Sequence, residues 1–256
     1  FFNFIKEEHS FVDKIVAENN IDMIVSDNRY GLYSDNVKSI IITHQLFVKA
    51  PIGEKIAHQK IEKLVAKFHE CWIPDVAGDG NLSGDLSHLK PIKSRYKFIG
   101  PLSRFSSFCH TEPVEVLKEE YEIIAIISGP EPQRTIFEKL IFDEIERNKL
   151  KAVVMLGKPN EELGARSQEL GVEVFNHLES SLLADYILKS KVVVCRAGYS
   201  SIMDLSALNK KAILVPTPGQ TEQEYLAAYH HKKGSFYAQK QNEFDLGKSL
   251  IEVGNF

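Results

Sequence analysis

Cysteine is scarce in this chain and follows no pattern. Its three cysteines, Cys71, Cys109 and Cys195, sit at no zinc-ligand spacing, and an odd number leaves no closed disulfide framework. A reducing, cytoplasmic setting is the expectation. Long apolar runs are missing as well. A membrane span needs about 20 apolar residues in a row, whereas the longest runs here, around 123–127 and 192–195, have the length of buried strands. There is no basic excess: 31 Lys and Arg stand against 35 Asp and Glu, a net charge of −4. That balance does not suit a nucleic-acid partner. A Walker loop, a catalytic triad pattern and a metal-ligand cluster are also absent, and the adjacent His230 and His231 would point to different faces of a helix. No metal and no cofactor is called for.

What is present is ordinary for a globular chain: 43% apolar and 26% charged residues over 256 positions. That length suits one large domain or two small ones. The charge is unevenly spread. Residues 1–105 carry 14 Lys and Arg against 13 Asp and Glu, whereas residues 106–256 carry 17 against 22. The slightly basic first part suits an anionic acceptor or peripheral contact with a membrane surface. The opening Phe1-Phe2-Asn3-Phe4-Ile5-Lys6 has neither an initiating Met nor a signal-peptide pattern, and reads as the interior of a helix.

Hydrophobic periodicity divides the chain. From Tyr121 onward, short β-branched runs alternate with amphipathic stretches. Strands are predicted at 122–128, 151–157, 172–175, 191–195, 212–216 and 235–238. Helices are predicted at 133–148, 161–170, 179–189, 200–208 and 222–233. This alternation implies βαβ units and a parallel sheet covered on both faces, a complete doubly wound domain. Before residue 105 only about four strands are legible: 22–26, 39–43, 71–73 and 97–100. A helix over 53–69 carries Ile56, Ile61, Leu64, Val65 and Phe68 at helical spacing. Residues 76–95 read as a long Gly- and Asp-rich loop, and 101–120 as a linker. The expected division is therefore 1–105, a partial Rossmann-like domain, and 106–256, a complete one. The fold class is α/β with two doubly wound domains, the first incomplete.

Three strand-to-helix turns carry the chemistry. In Val194-Cys195-Arg196-Ala197-Gly198-Tyr199-Ser200-Ser201, a buried strand meets a small-residue turn, with Ser200 and Ser201 as helix caps. A helix N-terminus there suits a phosphate. Asp204, a turn further on, could accept both hydroxyls of a ribose. The same residues also fit an ordinary βα turn with a capped helix and a solvated Asp204. In Val215-Pro216-Thr217-Pro218-Gly219-Gln220-Thr221-Glu222-Gln223-Glu224, Thr221 and Glu224 form a capping-box pattern. Glu222 and Gln223 suit sugar hydroxyls, which need paired donors and acceptors, or are simply solvated. In Ser128-Gly129-Pro130-Glu131-Pro132-Gln133-Arg134, Arg134 either reaches a phosphate or lies on the helix surface. His44 lies in Thr43-His44-Gln45 after an early strand. It is either a candidate base or a structural histidine.

Together these stretches resemble GT-B glycosyltransferases, specifically the MurG-like group with a family 28 C-terminal domain. The carrying residues are Val194-Cys195-Arg196-Ala197-Gly198 with Asp204, then Ala212-Ile213-Leu214-Val215-Pro216 with Glu222-Gln223-Glu224-Tyr225. The resemblance covers about 121–240 well and 22–45 more loosely. It implies a nucleotide-sugar donor whose diphosphate lies at Arg196, Gly198, Ser200 and Ser201. It puts the ribose on Asp204 and the sugar on Gln223 and Glu224. It puts the uracil near Phe175-Asn176-His177-Leu178, and Gly129 on the acceptor-facing side. Two departures stand out. The Gly-rich N-terminal turn that ends in the family's candidate base is not in this chain. The family's Gly-Gly-Ser-Gln-Gly loop is here Ser128-Gly129-Pro130-Glu131-Pro132. The chain therefore reads as one complete donor domain and most of another whose start is missing.

Three functions fit these residues. The first is a glycosyltransferase moving a hexose or N-acetylhexosamine from a UDP-sugar to a cell-envelope or lipid-linked acceptor. The second is a non-hydrolysing UDP-sugar 2-epimerase of the same fold. The third is a non-catalytic nucleotide-sugar-binding module.

Overall fold

The computed structural model describes residues 2–50, 52–91, 93–106, 120–159 and 172–256. The chain forms two compact units, Phe1–Pro101 and Leu102–Phe256. This division lies four residues ahead of the one expected from sequence, for a local reason. The Leu102 N–H donates to Met203 Sδ, and Ser103 and Arg104 both bond to Asp204, so all three residues go with the second unit.

The first unit is a four-stranded parallel sheet in sequential order. Its strands are β1 (Met23–Asp27), β2 (Lys38–Ile42), β3 (Glu70–Ile73) and β4 (Tyr96–Phe98). Helix α1 (Phe2–Glu18) precedes β1, and α2 (Glu54–Val65) joins β2 to β3. The β-branched residues of β2 and β3 form the centre, with Ile40, Ile41 and Ile73 fully buried beside Val65 and Phe68. Two expectations change. Ile56 lies in the first turn of α2 and is 61% exposed rather than part of the apolar face. The stretch 76–95 is not all loop: it contains the one-turn helix α3 (Asp85–His88). The fully buried Asp75 organises this region by accepting from the Val76, Leu82 and Ser83 amides and the Ser83 hydroxyl.

All six strands expected in the second unit are present. They are β5 (Tyr121–Ile126), β6 (Ala152–Met155), β7 (Glu173–Phe175), β8 (Ser190–Cys195), β9 (Ala212–Leu214) and β10 (Tyr237–Ala238). They pair in parallel in the order β10-β9-β8-β5-β6-β7, the doubly wound arrangement of dinucleotide-binding domains. Val193, Val194, Ile213 and Leu214 have no exposure, as strands covered on both faces require. The connecting helices are α4 (Gln133–Asn148), α5 (Ser180–Lys189), α6 (Tyr199–Ala207) and α7 (Thr221–Lys233). The helix expected at 161–170 lies outside the described residues. A further helix, α8 (Leu246–Glu252), has no counterpart in the sequence reading. Only seven residues long, it is too short to show a period. Its Asp245 cap accepts from Lys248 N, and Glu144 of α4 accepts from Leu246 N.

One ion ladder crosses the first sheet. Glu70 at the start of β3 meets Lys38 of β2 at 2.9 Å and Lys97 of β4 at 3.0 Å, and Trp72 Nε1 donates to it at 2.8 Å. Lys38, then Trp72 and Lys97, draw its carboxyl down to about 2. A depressed carboxylate gives stability that is complete above its ordinary value and is lost as pH falls through the folded value. Glu70→Gln should therefore lower the urea midpoint of the first unit at neutral pH, and the gap should close between about pH 5 and 2. A gap that stays constant over that range would show that the ladder contributes nothing.

Candidate functional site

In an open parallel sheet, ligands bind beyond the carboxyl ends of the strands, where the winding direction reverses. Here the reversal lies between β5 and β8, which are direct neighbours with Ile126 opposite Cys195. The chain leaves β5 toward β6 through α4, and leaves β8 toward β9 through α6. The turns 127–132 and 196–198 are therefore side by side. These are two of the three turns singled out in the sequence.

The turn after β5 contains Gly129, whose φ of 113° is a conformation that side-chain-bearing residues rarely adopt. Pro132 is the N-cap of α4. Arg134, two residues on, is 9% exposed. Its Nε donates to Glu131 at 2.6 Å and its Nη1 to Glu138 at 2.8 Å. Two carboxylates thus already balance its charge.

The turn after β8 differs from expectation in two ways. Helix α6 starts at Tyr199, with Gly198 as its N-cap, so Ser200 and Ser201 lie in the first turn and are not caps. The Gly198 carbonyl already accepts from Ile202 N at 3.0 Å, which fixes the cap there. No side chain bonds across this cap, and a β-carbon on Gly198 would meet nothing within 4 Å. The positive end of the helix dipole therefore lies at this turn, with no side chain bonded across it.

The second change concerns Arg196. It does not face that space. Its guanidinium is 1% exposed and turns beneath the loops. It donates to Val215 O (3.2 Å), Pro216 O (3.3 Å) and Gln133 O (3.0 Å), over the ring of Phe137 at 4.0 Å. Its long side chain finds backbone carbonyls from two neighbouring strand ends, which take up both of its Nη groups without an anion. Burial pulls it down to about 10, so it stays charged at neutral pH.

Asp204, one turn into α6, is 14% exposed at its side chain. Its two oxygens accept from Ser103 Oγ at 2.7 Å and Arg104 Nε at 2.9 Å. Sequence reasoning missed Ser103 and Arg104. They lie in a stretch read as a linker, and no spacing ties them to a residue 100 positions away.

The third turn follows β9, one strand further out. Helix α7 begins at Thr221 with Gln220 as its cap, so the expected Thr221–Glu224 capping box does not form. Instead Glu224 Oε1 accepts from Gly219 N at 2.9 Å. Gln223 is 7% exposed, and its Oε1 accepts from Thr217 N at 2.9 Å. Glu222 is half-buried in the first turn. Of the three, Glu224 borders a cavity of about 520 Å³ whose walls include Pro216, Pro218, Ala227, Ala228 and His231. His177 is exposed just past β7, two strands from β5. His44 belongs to the first unit, at the carboxyl end of β2 beside Thr43, whose hydroxyl donates to Asn28 Oδ1 at 3.0 Å.

Gly129, Arg134, Arg196, Gly198, Ser200, Ser201 and Asp204 thus gather at two adjacent strand ends. Glu222, Gln223 and Glu224 lie at the next, while His177 and His44 stand apart from both groups.

Comparison with known proteins bears on the fold and on the second unit. Residues 130–255 match the glycosyltransferase family 28 C-terminal domain. No curated protein matches the chain significantly. Among solved structures, the kitacinnamycin glycotransferase is similar at 14% identity and a TM-score of 0.63, covering 98% of this chain and 72% of that one. MurG of Acinetobacter baumannii is similar at 10% identity and a TM-score of 0.58, covering 98% and 71%. A UDP co-structure of S. aureus MnaA is similar at 15% identity and a TM-score of 0.58, covering 97% and 70%. At such identities these likenesses speak to the fold, and the family match speaks to the second unit. Residues 130–255 thus match a glycosyltransferase family 28 C-terminal domain, in a chain whose fold is similar to the GT-B fold of MurG.

Proposed function

We propose that the second unit binds a UDP-sugar and that the protein transfers its hexose or N-acetylhexosamine, with inversion, to a cell-envelope or lipid-linked acceptor. The observation that carries this reading is the N-terminus of α6 at the switch point, which no side chain caps, with a carboxylate one turn behind it. The diphosphate lies at that helix end, on the first-turn amides of Ser200 and Ser201. The ribose lies on Asp204, and the sugar lies toward Glu224. As the anomeric C–O bond breaks, its electron pair passes to the β-phosphate oxygen. The helix end stabilises the charge that develops there. The buried Arg196 adds positive potential from below the loops. A nucleoside diphosphate suits the fold, since one similar structure holds UDP and another thymidine diphosphate; UDP is the choice carried from the family resemblance.

The first unit supplies support for a lipid-linked acceptor. Ile52 is 93% exposed and Ile56 61% exposed, next to the exposed Lys55 and Lys60. Apolar side chains among lysines suit an anionic membrane surface. Among the described residues, no helix is long and apolar enough to cross a membrane.

Titration calorimetry with UDP and a panel of UDP-sugars tests the donor reading. Binding by UDP and by at least one UDP-sugar is expected, and Asp204→Asn should weaken UDP by about tenfold, the loss of a charge-assisted bond. Silence from UDP and from every panel member would sink it. A new epimer appearing by NMR when UDP-N-acetylglucosamine is incubated with the protein alone would replace transfer by epimerisation. A second variant tests the role given to Arg196. Arg196→Met fills the space but strands three carbonyls, so it should cost about 3 kcal/mol of stability and weaken UDP binding as the two loops separate. Unchanged stability would show that the guanidinium holds nothing in place.

A further inference from the structure

Asp204 has more capacity than its present partners use. Ser103 Oγ donates to its Oδ1 and Arg104 Nε to its Oδ2. An ionised carboxylate offers about four lone-pair sites, so each oxygen keeps one. The two donors are themselves held. Ser103 Oγ accepts from Phe105 N at 3.0 Å, Ser106 Oγ donates to Ser103 O at 2.8 Å, and the Arg104 guanidinium lies 4.9 Å from the Phe105 ring centroid. The carboxylate plane is therefore set from behind, by residues 103–106. Its 14% exposure is what remains open to a ligand.

We propose that Ser103 and Arg104 are positioning residues that make Asp204 a reader of a cis-diol, and so select ribonucleoside over 2′-deoxyribonucleoside diphosphate donors. This rests on the donor reading above and narrows it to the class of nucleotide. A ribose presents two hydroxyl donors side by side, one for each remaining lone pair. A 2′-deoxyribose presents only one and leaves the other carboxylate oxygen stripped of water without a replacement. A site built to bond a hydroxyl rejects the analogue that lacks it. The discrimination depends on the carboxylate holding one orientation. Without the Ser103 bond, Asp204 turns about its terminal torsion and takes one hydroxyl as readily as two.

The experiment is calorimetry on the whole chain with UDP and 2′-deoxy-UDP. The unmodified protein should bind UDP about tenfold or more tightly than the deoxy compound. Ser103→Ala should shrink that ratio to about twofold while the protein still binds both through the diphosphate. Ser103→Thr, which keeps the hydroxyl, should restore it. Equal binding of the two nucleotides by the unmodified protein overturns the proposal. So does a Ser103→Ala variant that weakens both nucleotides and leaves the ratio intact, since a merely structural role would do that. If neither nucleotide binds the unmodified protein, the donor reading itself fails and this proposal goes with it.

Discussion

One guanidinium braces the carboxyl ends of three strands. Arg196 leaves β8, reaches the carbonyls of Val215 and Pro216 past β9, and bonds the Gln133 carbonyl at the head of α4, which follows β5. Moving an arginine out of water is costly unless the buried charge finds partners. Here the partners are three backbone carbonyls and the face of Phe137. Its Nε is buried without a partner, a cost this arrangement carries. The first turn of α4, the Gly198 turn and the loop into α7 are all tied to this side chain. The N-terminus of α6 and the Glu224 side of the cavity keep their spacing because Arg196 stays where it is.

This placement changes how the site handles negative charge. With the arginine beneath the loops and Arg134 already paired with Glu131 and Glu138, neither cation nominated from sequence reaches out to a phosphate. In the proposed complex the charge that meets the diphosphate is the helix end: backbone amides with a fixed direction and no side-chain entropy to lose. Such dipoles need no reorganisation as charge develops, which is the condition for electrostatic stabilisation of a leaving group. The arginine contributes through its field and through rigidity.

The fold was more legible in the sequence than the site. Val192 to Cys195 and Ala212 to Val215 read as buried parallel strands because burial on both faces leaves a continuous apolar run, a local signal. Turns were legible for the same reason: Gly129, Pro132 and Gly198 mark chain reversal wherever they occur. The direction of a long side chain is not local. Nothing near Arg196 in sequence says that it bonds carbonyls 19, 20 and 63 positions away. Nothing near Asp204 points to Ser103 and Arg104. The capping errors at Ser200 and Thr221 have a smaller cause. A serine or threonine one position inside a helix looks in sequence like one at the cap, and here Gly198 and Gln220 took the cap positions without any side-chain bond. The helix α8 was missed because seven residues do not establish a period.

The two units solve the same problem with opposite charges. In the second, a buried cation gathers carbonyls from successive strand ends. In the first, a buried anion, Asp75, gathers the amides of Val76, Leu82 and Ser83 and fixes the long loop after β3. Backbone partners do not change when neighbouring side chains are substituted. A loop pinned through them keeps its shape while the residues at its tip vary. That separates two duties in each unit: one buried charged residue sets the geometry of the strand-end loops, and the exposed residues on those loops are left to vary. Arg196 and Asp75 are the first kind. Asp204 is held by two residues on the segment that enters the second unit, so its orientation depends on that segment as well as on α6.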